Sequence, residues 1–535
     1  MESVTTYARL ALLLPLALWP QGGAEVVPEL PRVYLDSSMP AAPAAGRTVI
    51  RIGSGANFQD AIDRARPGDV IELAKGATFT GNFVLRNKGA AGDAWIVIRP
   101  SNYAGLPPEG TRMTPEKAAA LALPKILTPN ANNAIATALG AHHYRLVGLD
   151  VGVSPDVKLT WALIGLDGAE GQRTMDVVPH HIVLDRMYVH GFAELTLRRC
   201  LALNSASTAI VDSWFSDCHE KGADSQAIAS WNGPGPFKIV NNYLEGAGEN
   251  LMFGGSDPSV ENLTPSDIEI RRNHLFKPVA WKGKWTVKNL LEIKHGQRIL
   301  IEGNVLENSW ADGQAGGAIV VKTVNQNGNC TWCVTQDVTI RLNHIRNVGG
   351  GFNIAGRPDN NAPAIAARRI TVTDNLITNM NVPPFMGDGR GFATYLATYV
   401  TITHNTMISP SAAAFVFGPF GKTTLNFTAR DNIVGAGAYG IIGDNFCCMK
   451  ALEVYAPGGD FRGNVMIMPS NAPLFPQGNY YPSGLALVGF ANPENGDFSL
   501  LQKSQYRGRA SDGRDPGANF AALQAAIKGV RVVVE

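Results

Sequence analysis

No charge of either sign dominates this chain. Its 46 Lys and Arg face 45 Asp and Glu for a net charge of +1. That balance excludes the basic excess of a nucleic-acid binder or a polybasic membrane-surface protein. Charged residues of any kind are scarce, at 17% against about 25% in ordinary globular chains. Long apolar runs are also missing. The stretch Leu10 to Trp19 is interrupted by Pro15 and is too short to span a bilayer as a helix. Phosphate loops and nucleotide fingerprints are absent. His219, His274 and His295 lack metal spacing such as His-x-x-x-His and read as turn or groove residues. Cys330-Thr-Trp-Cys333 stands without a second CxxC, which argues against a zinc ribbon.

What is present points outward from the cell and towards β-structure. Arg9, the run Leu10–Trp19 and the small residues Gly22, Gly23 and Ala24 read as a signal peptide over 1–24. Residues 25–46 are rich in Pro and Ala and read as a leader or linker. The chain is expected to be secreted, monomeric and free of any membrane span once the signal is removed. Its six cysteines are then free to form disulfides. Glycine is abundant at 57 of 535 residues, which with the low charge favours β-rich structure over helices.

A degenerate repeat runs through the chain. Its unit is an alternating strand, a bend and a second short strand. Ile268-Glu-Ile-Arg-Arg-Asn273-His-Leu, Ile299-Leu-Ile-Glu-Gly-Asn304-Val-Leu and Val338-Thr-Ile-Arg-Leu-Asn343-His-Ile fit it, and so do the segments around Asn375 and Asn405. Looser copies surround Asn242, Asn432 and Asn464, and Arg186 and Ser213 hold the bend slot upstream. From Asn242 the steps are 31, 31, 39, 32, 30, 27 and 32 residues, the period of a solenoid. Asparagine suits a bend because it tolerates left-handed backbone and bonds locally, and stacked copies would form a ladder. The pattern predicts an all-β, right-handed parallel β-helix. Residues 57–65 form a short amphipathic helix that would cap the open N-terminal end. The coil should run over 47–500, and 501–535 should supply a C-terminal cap with a short helix near its end.

The segment "GANFQDAIDRARPGDVIELAKGATFTGNFVL", together with the Asn-bend coils, resembles the pectin-lyase-like superfamily of right-handed β-helices over roughly residues 47–500. That superfamily hosts lyases, hydrolases, epimerases and non-enzymes, so function has to be argued from the site. Gly248-Glu249 and Lys294-His-Gly296 are similar to segments of the chondroitinase B/alginate lyase family. The similarity implies a calcium-bridged carboxylate site, with Glu249 as a calcium ligand and Lys294 in an arginine slot. Leu251 and Ser256 stand where that family has a second acidic ligand and a lysine base.

The stretch 217–336 is the densest in polar and aromatic residues. Asn289-Leu-Leu-Glu-Ile-Lys-His-Gly296 reads as a strand whose alternation sends Glu292 and Lys294 to one outer face. A carboxylate and a lysine on an open sheet suit acid/base work. Elimination at a uronic acid needs a base for the C5 proton and a cation to stabilise the enolate-like charge. Lys294, Glu292 and Glu249 are therefore the candidate catalytic residues. Glu249, Asn250 and Asp257 are candidate oxygen ligands for Ca2+. Lys277 and Arg298 are candidate contacts to an acidic substrate, and Trp281, Trp285, Trp310 and Trp332 are candidate sugar-stacking surfaces. The expected function is a polysaccharide lyase cleaving an acidic polysaccharide by β-elimination. The alternatives are a non-catalytic glycan-binding or surface-structural β-helix and a glycoside hydrolase on the same scaffold.

Overall fold

A computed structural model describes residues 26–39 and 47–533, apart from 91, 168–170, 358–361, 420, 468 and 470–471. The signal segment 1–24 lies outside the described residues, as does most of the stretch joining 39 to 47. Three long parallel sheets of 14, 13 and 12 strands carry the fold. Each coil contributes one strand to each sheet in turn. Gly296–Glu302, Val305–Glu307 and Gly317–Lys322 form one such coil, and Thr335–Arg341 opens the next above Gly296–Glu302. Strand order follows chain order throughout, which makes the molecule a right-handed parallel β-helix.

The interior is a continuous apolar stack because each strand turns alternate residues inward. On the third sheet Leu251, Leu291, Ile319, Phe352, Phe392 and Phe415 lie in register, one per coil, and all are buried. The helix Phe58–Arg64, capped by the Asn57 side chain on the Asp60 amide, packs Phe58, Ala61 and Ile62 onto the N-terminal end. That is the expected cap.

The asparagines align in one column at the corner between the first and second sheets. From Asn242 through Asn273, Asn304, Asn343, Asn375, Asn405, Asn432 and Asn464 to Asn479, each Nδ2 donates to the next Oδ1 at 2.9–3.1 Å. Asparagine's conformational tolerance is not the reason it sits there. The left-handed residue is the one before it: Asn241, Arg272, Leu342, Asp374, His404 and Asp431 all have φ between 52° and 60°. Asparagine is chosen because its amide both donates and accepts along the stack. Upstream, Ser213 continues the column, donating its amide N–H to Asn242 Oδ1 and accepting the Met187 N–H on its hydroxyl. Arg186 sits one place earlier, in the left-handed slot.

The C-terminal segment differs from expectation. The helix Phe520–Ile527 buries only Leu523 and lies along the flank of the coil instead of sealing its end. Arg272 donates to the carbonyls of Ala526 and Lys528, and Arg531 clasps Glu307 at 2.8 and 2.9 Å. The last coil is covered by the helix Cys448–Tyr455, whose Ala451, Leu452 and Tyr455 join the main core. At the other end of the chain, residues 26–39 run along the first sheet. The Glu29 and Arg32 amides donate to Asp337 and Asp267, and Arg145 holds the Ser37 and Ser38 carbonyls. Among the described residues no helix is long and apolar enough to cross a membrane.

Candidate active site

The outer face of the third sheet gathers the charged residues that the coil interior cannot hold. Met252, Glu292, Val320, Asn353, Ala393 and Val416 form one outward row in register. Lys294, two residues after Glu292, projects to the same side and pairs with the Glu292 carboxylate. Glu249 approaches from the preceding coil, where Gln226 Nε2 donates to its Oε2 at 2.7 Å. Lys288 pairs with Asp224 beside them. Asn289 donates to both Glu292 Oε1 and Gln314 Oε1. Asn289 and Gln314 in turn line a groove of about 550 Å3 that continues along the sheet past Asn353, Asp388, Arg390 and Tyr395 to Asp444.

The electrostatics separate these groups. Burial, then repulsion from Glu292 and Asp224, raises the Glu249 carboxyl well above its ordinary value, while Lys294 and Lys288 oppose the rise. Burial disfavours the charge on Lys294, but the Glu292 and Glu249 carboxylates outweigh it and its pKa is raised. Lys294 is therefore held as an ammonium. Exposure differs as sharply. Glu249 and Glu292 are fully enclosed, whereas the side chains of Lys294, Lys288 and Asp224 are 12%, 18% and 36% exposed. Of the three residues expected to be catalytic, Lys294 alone reaches the surface, and the two glutamates stand behind it.

The remaining candidates are placed elsewhere. Asn250 points into the coil corner, its Nδ2 donating to the Leu244 and Phe276 carbonyls. Asp257 caps a loop by accepting the Gln326, Asn327 and Asn329 amides at 2.7–3.1 Å. The calcium set Glu249, Asn250 and Asp257 is thus not assembled. The carboxylates that do gather, Asp224, Glu249 and Glu292, are interleaved with lysines, a donor set that neutralises itself and does not fit calcium. Lys277 is fully buried and donates to the carbonyls of Gly246, Ala247 and Gly248 at 2.5–3.0 Å; it offers a substrate nothing. Burial lowers its pKa, with Glu249 and Glu292 pulling the other way. Arg298 forms a two-pronged pair with Asp267 on the first sheet, away from the cluster. Trp281, Trp285 and Trp310 pack on one another with Phe385 and are at most 9% exposed, so they anchor the loops and present no stacking face. Trp332 is half-buried and ties its loop to the Leu263 carbonyl at 3.0 Å.

Sequence reasoning missed Trp161, which faces outward, and counted the half-buried Trp231 among the five tryptophans of the 217–336 stretch weighed as sugar contacts. Trp161 is 49% exposed with the Arg198 guanidinium 5.7 Å from its ring centroid, and Arg199 lies 4.8 Å over Trp231. Arg199 is in register with Gln226, and Gln226 with Glu249, which puts this pair on the same sheet as the carboxylate–lysine cluster. Asp388, Arg390, Tyr395 and Asp444 were missed as well. Only strand register brings them to the groove.

No protein-family model matches the chain, and no curated protein matches it either. Among solved structures, the PL6 family alginate lyase AlyGC is 14% identical with a TM-score of 0.49, over 91% of this chain and 59% of that one. The chain thus spans about 59% of the length of that lyase. The catalytic unit of a GH87 α-1,3-glucanase from Streptomyces thermodiastaticus is 12% identical with a TM-score of 0.47, over 84% of this chain and 70% of that one. The PL6 family polysaccharide lyase Pedsa3628 from Pseudopedobacter saltans is 10% identical with a TM-score of 0.43, over 88% and 99%. The parallel β-helix is shown by the chain's own sheet topology. At these identities the likeness does not reach the reaction, which rests on the site.

Proposed function

We propose that this chain is an exported polysaccharide lyase that cleaves an acidic polysaccharide by β-elimination on the outer face of its third sheet. The observation that carries the reading is Lys294: an ammonium held by the enclosed Glu292 and Glu249, in a cluster that Asn289 joins to the 550 Å3 groove through its bonds to Glu292 and Gln314. Such a cation suits the carboxylate of a uronic acid, whose negative charge grows as the C5 proton leaves. Asp224, the most open carboxylate of the cluster, is assigned as the base that takes this proton. The electron pair forms the C4–C5 double bond, the C4–O bond breaks, and the leaving oxygen takes up a proton. Glu249 and Glu292 are positioning residues that hold Lys294. No step runs through calcium. Trp161 and Trp231, each under an arginine, are assigned to sugar stacking. Export is supported by the signal-like run Leu10–Trp19 and by the disulfides Cys200–Cys218 and Cys330–Cys333.

The test is a panel of pectate, alginate, glycosaminoglycans and bacterial exopolysaccharides, followed by ultraviolet absorbance with and without chelator. A lyase releases an unsaturated sugar that absorbs, and here it should do so equally in chelator. Reducing ends without absorbance would mean a hydrolase. Binding without either product would reduce the chain to a glycan-binding module.

A further inference from the structure

Four of the ten histidines of the chain meet on the first sheet, well apart in the coil from the carboxylate–lysine cluster. His142 and His143 open the strand His142–Val147, and His180 and His181 open the next strand in the stack, His180–Asp185, with His180 in register with His142. Neighbouring residues of a strand normally face opposite sides. Here they do not, because His143 and His181 have φ of 58° and 53°. A left-handed residue at the strand entrance acts as a bulge that re-aims the side chain, so both imidazoles of each pair share one side. His142 stacks on His180 at 4.7 Å and His143 on His181 at 4.6 Å, with the planes 5° and 4° from parallel. Within each coil the rings meet edge to face, Nδ1 to Nδ1, at 2.8 Å for 142/143 and 2.6 Å for 180/181.

We propose that these four histidines form a binding site for one late transition-metal ion of the zinc, nickel and copper class, clamping two adjacent coils of the first sheet. Four arguments support it. Donor nitrogens of His143, His180 and His181 already lie within 4.8 Å of one another. A zinc ion at about 2.0–2.1 Å from each ligand needs nitrogens roughly 3.3 Å apart in a tetrahedron, a spacing that small side-chain rotations reach. In each Nδ1···Nδ1 contact two rings share a single proton, one donating and one accepting, and a cation between the lone pairs replaces that proton. Imidazole-only donors select zinc, nickel or copper over calcium or magnesium, which take oxygen. The same slot on later coils shows the contrast. There Asp267 pairs with Arg298 and Asp337 with Arg369, so anion meets cation, whereas at 143 and 181 imidazole stacks on imidazole, with the Asp93 carboxylate near enough to favour a cation there. Trp95 closes one side of the group, 5.2 Å edge-on to His143.

The test uses the untagged full chain, stripped of metal and titrated with ZnCl2 alone by calorimetry, with bound zinc counted after dialysis. The expected result is about one equivalent per chain, with His143→Phe and His181→Phe each weakening binding tenfold or more. Phenylalanine keeps the aromatic stack and removes the donor, so retained circular dichroism separates lost ligation from lost fold. Loading with CuCl2 alone should give an electron paramagnetic resonance spectrum split by imidazole nitrogens. No bound zinc, or zinc bound equally by the two Phe variants, would overturn the site and leave the four rings a packing column. Lyase activity is not read in this experiment, so its outcome is independent of the proposed function.

Discussion

Two rows of buried polar side chains run along this coil, and they are built on opposite terms. In the asparagine column from Asn242 to Asn479 every residue is matched to the next by the same donor and acceptor, at 2.9–3.1 Å. In the cluster on the third sheet, Glu249 and Glu292 are as buried as the asparagines. Yet Glu249 Oε1 and the Oε1 of its partner Gln226 are enclosed without a hydrogen-bond partner. Burying a polar group is cheap when its bonds are complete and costly when they are not. The column has the economy of a structural device. The cluster carries an unmet requirement at the head of an open groove, which is where function is usually found.

The sharpest way to break this contrast is Lys294→Met. If the cluster exists to present one ammonium to a developing charge, turnover should fall on the order of 10²–10³-fold, the range seen when a preorganised stabilising group is removed. KM should change little, because the lost interaction strengthens in the transition state. The thermal unfolding temperature should also fall, because the enclosed Glu292 carboxylate loses its ion-pair partner, so turnover is read per folded molecule. Turnover that survives intact removes Lys294 from the mechanism.

Asn343→Ala tests the other row. The change strips the middle of the column, leaving the Asn304 backbone and side-chain N–H groups without the acceptor they share, removing one of the two donors to Asn375 Oδ1 and opening a small cavity. A loss of roughly 2–3 kcal/mol in unfolding free energy is expected from broken buried hydrogen bonds. Activity of the folded fraction should be unchanged. Denaturant titration alongside specific activity reads both. A fall in specific activity with unchanged stability would erase the distinction between the two rows.

The column was legible in the sequence, and so were Glu249, Glu292 and Lys294 of the cluster, but the burial of the two glutamates and the rest of the groove were not, for a physical reason. A solenoid repeats its corner in every coil, so the asparagine spacing of 27–39 residues is printed in the chain. Its mechanism was read one residue off, because the left-handed backbone belongs to the preceding residue. Strand alternation correctly sent Glu292 and Lys294 to one face. Proximity in sequence misled elsewhere: Asn250 is next to Glu249 but turns into the coil corner, and Asp257 is taken by a loop. Nothing in a tryptophan's sequence context says which side of a loop it covers, so Trp281, Trp285 and Trp310 were read as a groove wall when they close a small core. Arg390, Tyr395 and Asp444 lie about a hundred residues or more beyond Lys288, and only the register of the third sheet joins them to the site.

Trp231→Ala bears on that misreading with a smaller expected effect. If Trp231 under Arg199 is a stacking face, substrate affinity should fall about tenfold, the lower part of the range for aromatic stacking on nucleic-acid bases taken by analogy. Trp310→Ala should leave affinity untouched and appear in thermal stability instead, because its ring is 2% exposed. Equal affinities in both variants would take the substrate off this part of the sheet.

The smallest effect should come from Glu249→Gln, and its sign is the informative part. Burial, with Glu292 and Asp224, raises the folded-state pKa of Glu249 above its ordinary value near 4.5. The folded chain therefore holds this proton more tightly than the unfolded chain. Its contribution to stability is fully present below the unfolded pKa and is lost as pH rises through the raised folded value. Glutamine keeps the shape, keeps an acceptor for Gln226 and cannot ionise. Subtracting the unfolding free energies of the two proteins across pH 4–9 removes groups common to both, such as Glu245, which burial also pushes up to about 8. The difference should move in favour of the Gln variant as pH rises, ending about 1 kcal/mol in its favour. An Asn343→Gln control should show no such slope, since no ionisation is involved at that site. A flat difference for Glu249→Gln would mean that Lys288 and Lys294 already neutralise this carboxylate, and that the cluster is as complete in charge as the asparagine column is in hydrogen bonds.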